Sequence, residues 1–537
     1  MLVALLSYLS YIILALWQYP LERFYYGVLV DGTERLSPNP GVIARTANLT
    51  PAQVLECLRV GQLLPPAPQE AGPDMPGALA LLQNNTSNFV LVKAQYSDAG
   101  FPQVLYVLVP VEVLRRLGGN VLVFQALGLA PMPAFSTGQA TLQPFELRRV
   151  HPPSREEQIE ALLNLLTFCQ DTLQTVEGIL AGLVQGWPLA IVNSPRSFTM
   201  RLQFVQGLLS LLPVPARTGI TFATHVSDPA ASLAQLKFTS EPVKSARHLI
   251  YDWGRGVFVT QPPDDPYSRY IISQLRLDPS LVVDQTEQLA RTTLWRAMQR
   301  ERLGGVLAWV ARRAATDRTV LNGQPADRAL VASILREDPT LPSEMRLAYA
   351  RHVLALALAL NEADSADVIP MAAITHPDIA AAVGDQLYNA IRQGHSGLVY
   401  AMVARWLLRI PEATALQWHV ILHEAAERHL EALVRDGELQ PVREFLAGLT
   451  KAHPALQIEQ VMPRLIRLAQ PAARDDAQLA RLLLILGAET LPAAGFQNML
   501  KDAVITARLP DEFRAALAYL QPRPREPIPP GVLERAG

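Results

Sequence analysis

Apolar positions change their spacing along the chain, and the change divides it into regions. From about residue 21 to 150 short apolar runs alternate with helical stretches. Phe24 to Val30 is a compact strand-like run closed by Asp31-Gly32, a turn dipeptide. Thr50-Pro51 opens a helix as cap and first helical residue, with Val54, Leu55 and Leu58 on one face. A proline-rich connector, Leu64 to Pro76, follows. Asn88 to Tyr96 and Gln103 to Val109 read as a hairpin whose second strand stops at Pro110, and a short helix then ends at Gly118-Gly119.

Between about 154 and 275 a second mixed pattern begins with the capping-box sequence Ser154-Arg155-Glu156-Glu157. The helix it opens carries Ile159, Leu162, Leu163 and Leu166. Trp187 to Val192 predicts a buried strand, Phe198 to Leu212 a helix ended by Pro213, and 220–224, 236–238, 248–251 and 257–260 further strands. From about 283 strand signals vanish. Helical stripes run through Met345 to Leu360, Leu398 to Ile410, Trp418 to Leu433 and Leu479 to Leu486, with proline or glycine between helices. Short connections predict antiparallel neighbours in a helical array without a strict repeat.

The expected fold is therefore multidomain: two mixed α/β (α+β) domains followed by an all-α helical array. The expected boundaries are 1–20 for an apolar N-terminal segment, 21–150 for an N-terminal α+β domain and 151–280 for a middle α/β domain. The helical array takes 281–521 and a proline-rich tail 522–537. A length of 537 residues, 50% of them apolar and 18% charged, suits several buried cores and excludes global disorder.

Forty-seven basic and 49 acidic residues give a formal net charge of -2, so no global field attracts a polyanion, and a dedicated nucleic-acid binder is not expected. Only five of the basic residues are lysine, which fits the codon bias of a GC-rich bacterial genome. Cys57 and Cys169 lie in helical patterns without metal or redox spacing and read as small buried hydrophobes, in keeping with a reducing, cytoplasmic setting. Met1 to Trp17 carries no charged side chain and would make a helix of about 25 Å, just short of a full span. It reads as a peripheral segment or start artefact, as an uncleaved membrane anchor, or as a signal peptide.

Chemistry-bearing motifs are few. The sequence has no G-x-x-x-x-G-K-[ST] phosphate loop, no G-x-G-x-x-G, no G-x-S-x-G and no kinase signature, and no cofactor is expected. Tyr26, Gly27, Lys93 and Tyr96 form a candidate binding groove in the first mixed region, against the plainer reading of strand tyrosines and a lysine guarding an edge. His419, His423 and Glu427 stand at i, i+4 and i+8 on one helix face as a weak metal candidate, against the plainer reading of polar residues on a helix face with Glu427 paired to Arg428 or its neighbours. Asp264-Asp265, between prolines, reads as a turn, and His225 has no evident partner.

Three stretches together resemble the bacterial GTPase-associated proteins of predicted ternary conflict systems. They are Tyr25-Tyr26-Gly27 with Leu36-Ser37-Pro38-Asn39-Pro40-Gly41, then Phe89 to Gly119, then Leu208 to Thr224. The resemblance covers about residues 21–275. It implies a non-catalytic adaptor or effector that binds a protein partner, a small GTPase, in a defence-like module, and it supplies no catalytic residues. The alternatives are an enzyme with a non-motif active site in one of the mixed domains, or a scaffold tethered to a membrane through residues 1–17.

Overall fold

The computed structural model describes residues 19–31, 34–61, 64, 74–85, 88–97, 100–133, 135–137, 140–148, 150–241, 243, 247–411 and 415–500. The expected apolar segment and the proline-rich tail lie outside the described residues. Among those described, no helix is long and apolar enough to cross a membrane. The chain divides into two compact units, 1–314 and 315–537.

The first unit is organised by a mixed sheet. Its strands in chain order are β1 (Tyr19–Leu21), β2 (Arg23–Gly27), β3 (Val30–Asp31), β4 (Glu34–Arg35), β5 (Gly41–Thr46), β6 (Ala78–Gln83), β7 (Asn88–Tyr96) and β8 (Pro102–Pro110). They continue with β9 (Ala140–Leu142), β10 (Phe145–Leu147), β11 (Leu189–Val192), β12 (Phe222–Ala223), β13 (Leu236–Thr239), β14 (Leu249–Asp252) and β15 (Val257–Phe258). Eleven of them form one sheet in the order β15-β14-β11-β13-β12-β6-β7-β8-β2-β5-β9. Strands β12, β13, β11 and β14 are parallel to one another, and β6, β7, β8, β2 and β5 are antiparallel.

The hairpin expected near 88–109 is β7 and β8, in continuous register from Asn88 opposite Pro110 to Tyr96 opposite Pro102. Strand β6, inside the run Ala78-Leu79-Ala80-Leu81-Leu82, has no counterpart in the sequence expectations. It joins the two halves, pairing with β7 on one side and with β12 on the other. The expected boundary at 150 therefore falls between strands that share one sheet.

At that seam Thr224 supplies two bonds, accepting the Leu79 amide on Oγ1 at 2.9 Å and donating its own amide to the Leu79 carbonyl at 2.8 Å. Its side chain is fully buried. Thr224→Val keeps the shape and leaves the Leu79 N–H without an acceptor. A loss of about 1–3 kcal/mol in urea unfolding is the expected result, and a loss under about 0.5 kcal/mol would contradict this role.

Alternation along the strands sends side chains to two covered faces. Leu79, Leu81, Leu91, Leu105, Val107, Phe222, Leu236, Phe238 and Tyr251 belong to the larger core. That core also takes residues of the helices α2 (Val111–Leu117), α4 (Arg155–Phe168), α5 (Leu173–Val184) and α6 (Phe198–Ser210). The opposite face, with Ala80, Val90, Val92, Tyr106 and Ala223, packs against Val54, Cys57 and Val60 of α1 (Pro51–Gly61). Thr50 and Gln53 cap α1 reciprocally, and Ser154 and Glu157 do the same for α4, as their sequences indicate. Burial pushes both cysteine thiols up to about 12, so they are inert packing groups.

Three short helices, α3 (Gln125–Leu129), α7 (Val214–Arg217) and α8 (Pro266–Leu275), complete this unit with α9 (Pro279–Met298) and part of α10 (Leu303–Leu321). Helix α9 lies within the region expected to start the helical array. Its Val282, Val283 and Leu289 are nevertheless part of the sheet unit's core, and its Asp284 bonds to Arg155 of α4.

The second unit is helical. It contains α11 (Arg328–Glu337), α12 (Ser343–Leu360), α13 (Ile369–Thr375), α14 (Pro377–Arg392), α15 (Ser396–Leu407), α16 (Leu416–Asp436), α17 (Leu439–Thr450), α18 (Met462–Ala469), α19 (Ala477–Thr490) and α20 (Ala493–Leu500). Each expected stripe supplies a buried face, as with Val399, Met402, Val403 and Trp406 of α15. Trp406 and Trp418 meet edge to face with ring centroids 5.1 Å apart.

Candidate functional site

Helices α14 and α16 bury their apolar sides and leave polar sides that face each other across a groove of about 870 Å³. On α14 the lining residues are Asp385, Tyr388, Asn389 and Arg392, spaced i, i+3, i+4 and i+7. On α16 they are Glu424, Arg428, Glu431 and Arg435, spaced i, i+4, i+7 and i+11. Ile379, Val383 and Leu387, and likewise Trp418, Leu422, Ala425 and Ala426, point the other way into the core.

The direction of the helices follows from contacts between them. A Cβ on Gly397 would lie 2.7 Å from the His429 ring, while Trp406 touches Trp418, so α15 and α16 are antiparallel. Gly384 lies beside Ile421, and Tyr388 feels the charge of Glu424, so α14 and α16 run the same way. Gly394, at φ +97°, makes the sharp reversal from α14 into α15, a conformation strained for other residues.

This register sorts the charges. Asp385 and Glu424 stand toward one end of the groove, Arg392 lies midway at the level of Arg428, and Arg435 stands at the other end. Between them Arg428 bonds to Glu424 and Glu431, each at 2.9 Å. Three acidic and three arginine side chains line the groove, so its charge is balanced. Burial, with Glu424 next, raises the ionisation of the Tyr388 phenol, which stays a neutral donor. The Arg428 pairs are largely exposed and so weak in isolation, which lets an incoming charged group exchange for them at little cost.

The residues singled out from sequence lie elsewhere. Tyr26 packs against the smaller core, on the sheet face that Ala94 and Tyr96 share by alternation. Lys93 points to the opposite face, in a row with Leu79 and Leu105. The structure therefore does not gather Tyr26, Gly27, Lys93 and Tyr96 into one groove. Nor does Lys93 guard an edge: β7 is an internal strand and the residue is 2% exposed. Its ammonium donates to the carbonyls of Leu127, at 3.0 Å, and Ala130, at the C-terminal end of α3. Burial holds it down to about 8. Gly27 is a close approach, since a Cβ there would lie 3.2 Å from the Pro102 carbonyl oxygen.

His419 and His423 are neighbours, with ring centroids 6.1 Å apart, but Glu427 turns to Arg464 at 3.1 Å. Among the described residues, no three His, Cys, Asp or Glu side chains come together to hold a metal ion. Asp265 caps α8, accepting the Ser268 amide at 2.8 Å, while Asp264 pairs with Arg269 at 3.3 Å. His225 is buried, and burial with nearby Arg201 lowers it to about 4, so it is neutral near pH 7.

The parallel strands have a second place where ligands often bind, the point where β13 and β14 leave β11 on opposite sides. There Asp252 accepts the Asn193 amide at 3.0 Å and the Arg255 backbone N–H at 3.1 Å. Trp253 packs on Phe204 at 4.7 Å and on Phe168 at 5.2 Å. These groups build the turn into β15. No protein-family model matches this chain, and no curated protein matches it.

Proposed function

We propose that this chain is a non-catalytic adaptor or effector that holds a partner protein in the groove between α14 and α16. The observation carrying this reading is the groove itself: an open concave surface between two helices, with charged side chains partly in exchangeable pairs. A surface of that kind suits a protein segment better than a small substrate, whose sites are mostly apolar and enclosed. The partner is a GTPase, as the sequence resemblance implies, and the nucleotide comes with it, since this sequence has no phosphate loop.

In this reading an N-terminal part, 21–150, and a middle part, 151–280, share the sheet unit with α9, and the helical unit that follows presents the groove. The protein works in the cytoplasm of a bacterium as part of a defence-like module, meeting a membrane only through residues 1–17. The test is capture of partners by the tagged full chain from its native host. Stoichiometric recovery of a GTPase by the wild type, and not by Arg392→Glu/Arg435→Glu, is expected. Equal recovery by both, or recovery of no GTPase, would refute the reading.

A further inference from the structure

We propose that the groove recognises one kind of partner segment, a dipolar peptide whose acidic end meets Arg392 and Arg435 and whose basic end meets Asp385. This inference rests on the adaptor reading and goes beyond it by fixing the chemistry and direction of what is bound. Among the described residues, neither Asp385 nor Arg435 forms an ion pair. Arg392 has neutral partners, donating to Asn389 Oδ1 at 2.6 Å and to the Tyr388 carbonyl at 3.4 Å. Arg428, by contrast, is held between Glu424 and Glu431 and is already neutralised. The groove thus offers an unopposed acid at one end and, further along, two arginines without carboxylates, Arg392 midway and Arg435 at the far end.

Its length sets the spacing of the guest's charges. From Asp385, Arg392 lies about 10 Å and Arg435 about 20 Å along the helix axes at 1.5 Å per residue. An extended peptide covers those distances in about three and about six residues. A base with acids about three and about six residues from it fits the three groups, and the reversed order puts like charges together. A polyanion such as nucleic acid would satisfy the arginines and be repelled by Asp385, Glu424 and Glu431. Tyr388, between the charged ends, gives the guest a flat ring and a hydroxyl donor.

The test is selection of peptides from a random dodecapeptide display library on the full chain and on the full-chain variant Arg392→Glu/Arg435→Glu. The wild type is expected to enrich peptides with Asp or Glu about three and about six residues from a Lys or Arg. A synthetic peptide of the enriched sequence should bind the variant at least tenfold more weakly, and recover when its acids are replaced by lysine. Arg392→Gln/Arg435→Gln, which removes charge without reversing it, should fall between the two, and both variants should unfold at the wild-type temperature. No enrichment, enrichment without a charge pattern, or binding indifferent to the variants would overturn the proposal. If the wild type still captures a GTPase that the Arg392→Glu/Arg435→Glu variant does not, the dipolar recognition fails and the adaptor reading stands. If capture fails while dipolar peptides are still selected, the adaptor reading fails and the groove's specificity stands.

Discussion

Trp406→Ala is expected to destabilise the helical unit by about 3–5 kcal/mol, the range for removing a large aromatic from a packed core. Trp406 is fully buried on α15 and meets Trp418 of α16, so the substitution removes both volume and an aromatic contact between these helices. Its indole Nε1 has no hydrogen-bond partner, so Trp406→Phe loses ring area without leaving a donor stranded. A cost below about 1.5 kcal/mol is expected for Phe. Guanidinium unfolding of the full chain measures both. Equal losses for Ala and Phe, or under about 1 kcal/mol for Ala, would show that this pair does not organise the unit.

Stability of the sheet unit is expected to rise from about pH 8 to about pH 10. Lys93 and Lys237 lie on opposite faces of the sheet, and burial holds each at about 8, with Asp228 partly countering it for Lys237. An unfolded lysine titrates near 10.4. Between those values the unfolded chain binds more protons than the folded one, so stability climbs with pH, by at most about 1.4 kcal/mol per pH unit for each lysine. Below about pH 8 both states are protonated and the full cost of the buried charge is present. Above about pH 10 the buried phenols of Tyr106 and Tyr251, raised in the fold mainly by burial, reverse the trend. Urea midpoints at pH 7.5 and 9.5 check this, with Lys93→Met/Lys237→Met expected to flatten the rise. The slope is the diagnostic quantity, because losing Lys237 also strands the Ser232 carbonyl, which it bonds at 3.0 Å, and leaves the Pro229 carbonyl with His248 alone. A wild-type profile already flat between those pH values would contradict the account.

Local chemistry was the legible part of the fold. The capping residues Ser154 and Glu157, the β7–β8 hairpin and the stripes of α12, α15, α16 and α19 are written in short-range patterns. Strand β6 was not, because burial on both faces removes the alternation that marks a strand, and a run of Ala and Leu reads equally well as helix. The joining of the two halves in one sheet followed β6 out of sight. Lys93 illustrates the same limit: a lone lysine in an apolar strand suggests an exposed edge, and only the strand order places it inside.

The groove was hidden for a different reason. Glu424, Arg428, Glu431 and Arg435 look like the solvated side of any amphipathic helix, and so do Asp385, Asn389 and Arg392. Neither set means anything until α15 brings the two helices side by side in the same direction. The glycines at 394 and 397, which allow the tight turn and the approach to His429, were the only local hint. The histidine and glutamate of the metal candidate showed correct helical spacing, but spacing could not reveal that Arg464 takes Glu427.

The central claim is that partner binding runs through the two unopposed arginines of the groove. The most direct measurement is the affinity of a GTPase recovered from the native host for the purified full chain, wild type against Arg392→Glu/Arg435→Glu, with thermal unfolding followed in parallel. At least tenfold weaker binding with an unchanged unfolding temperature is the expected result. Equal affinity in a folded variant would contradict it.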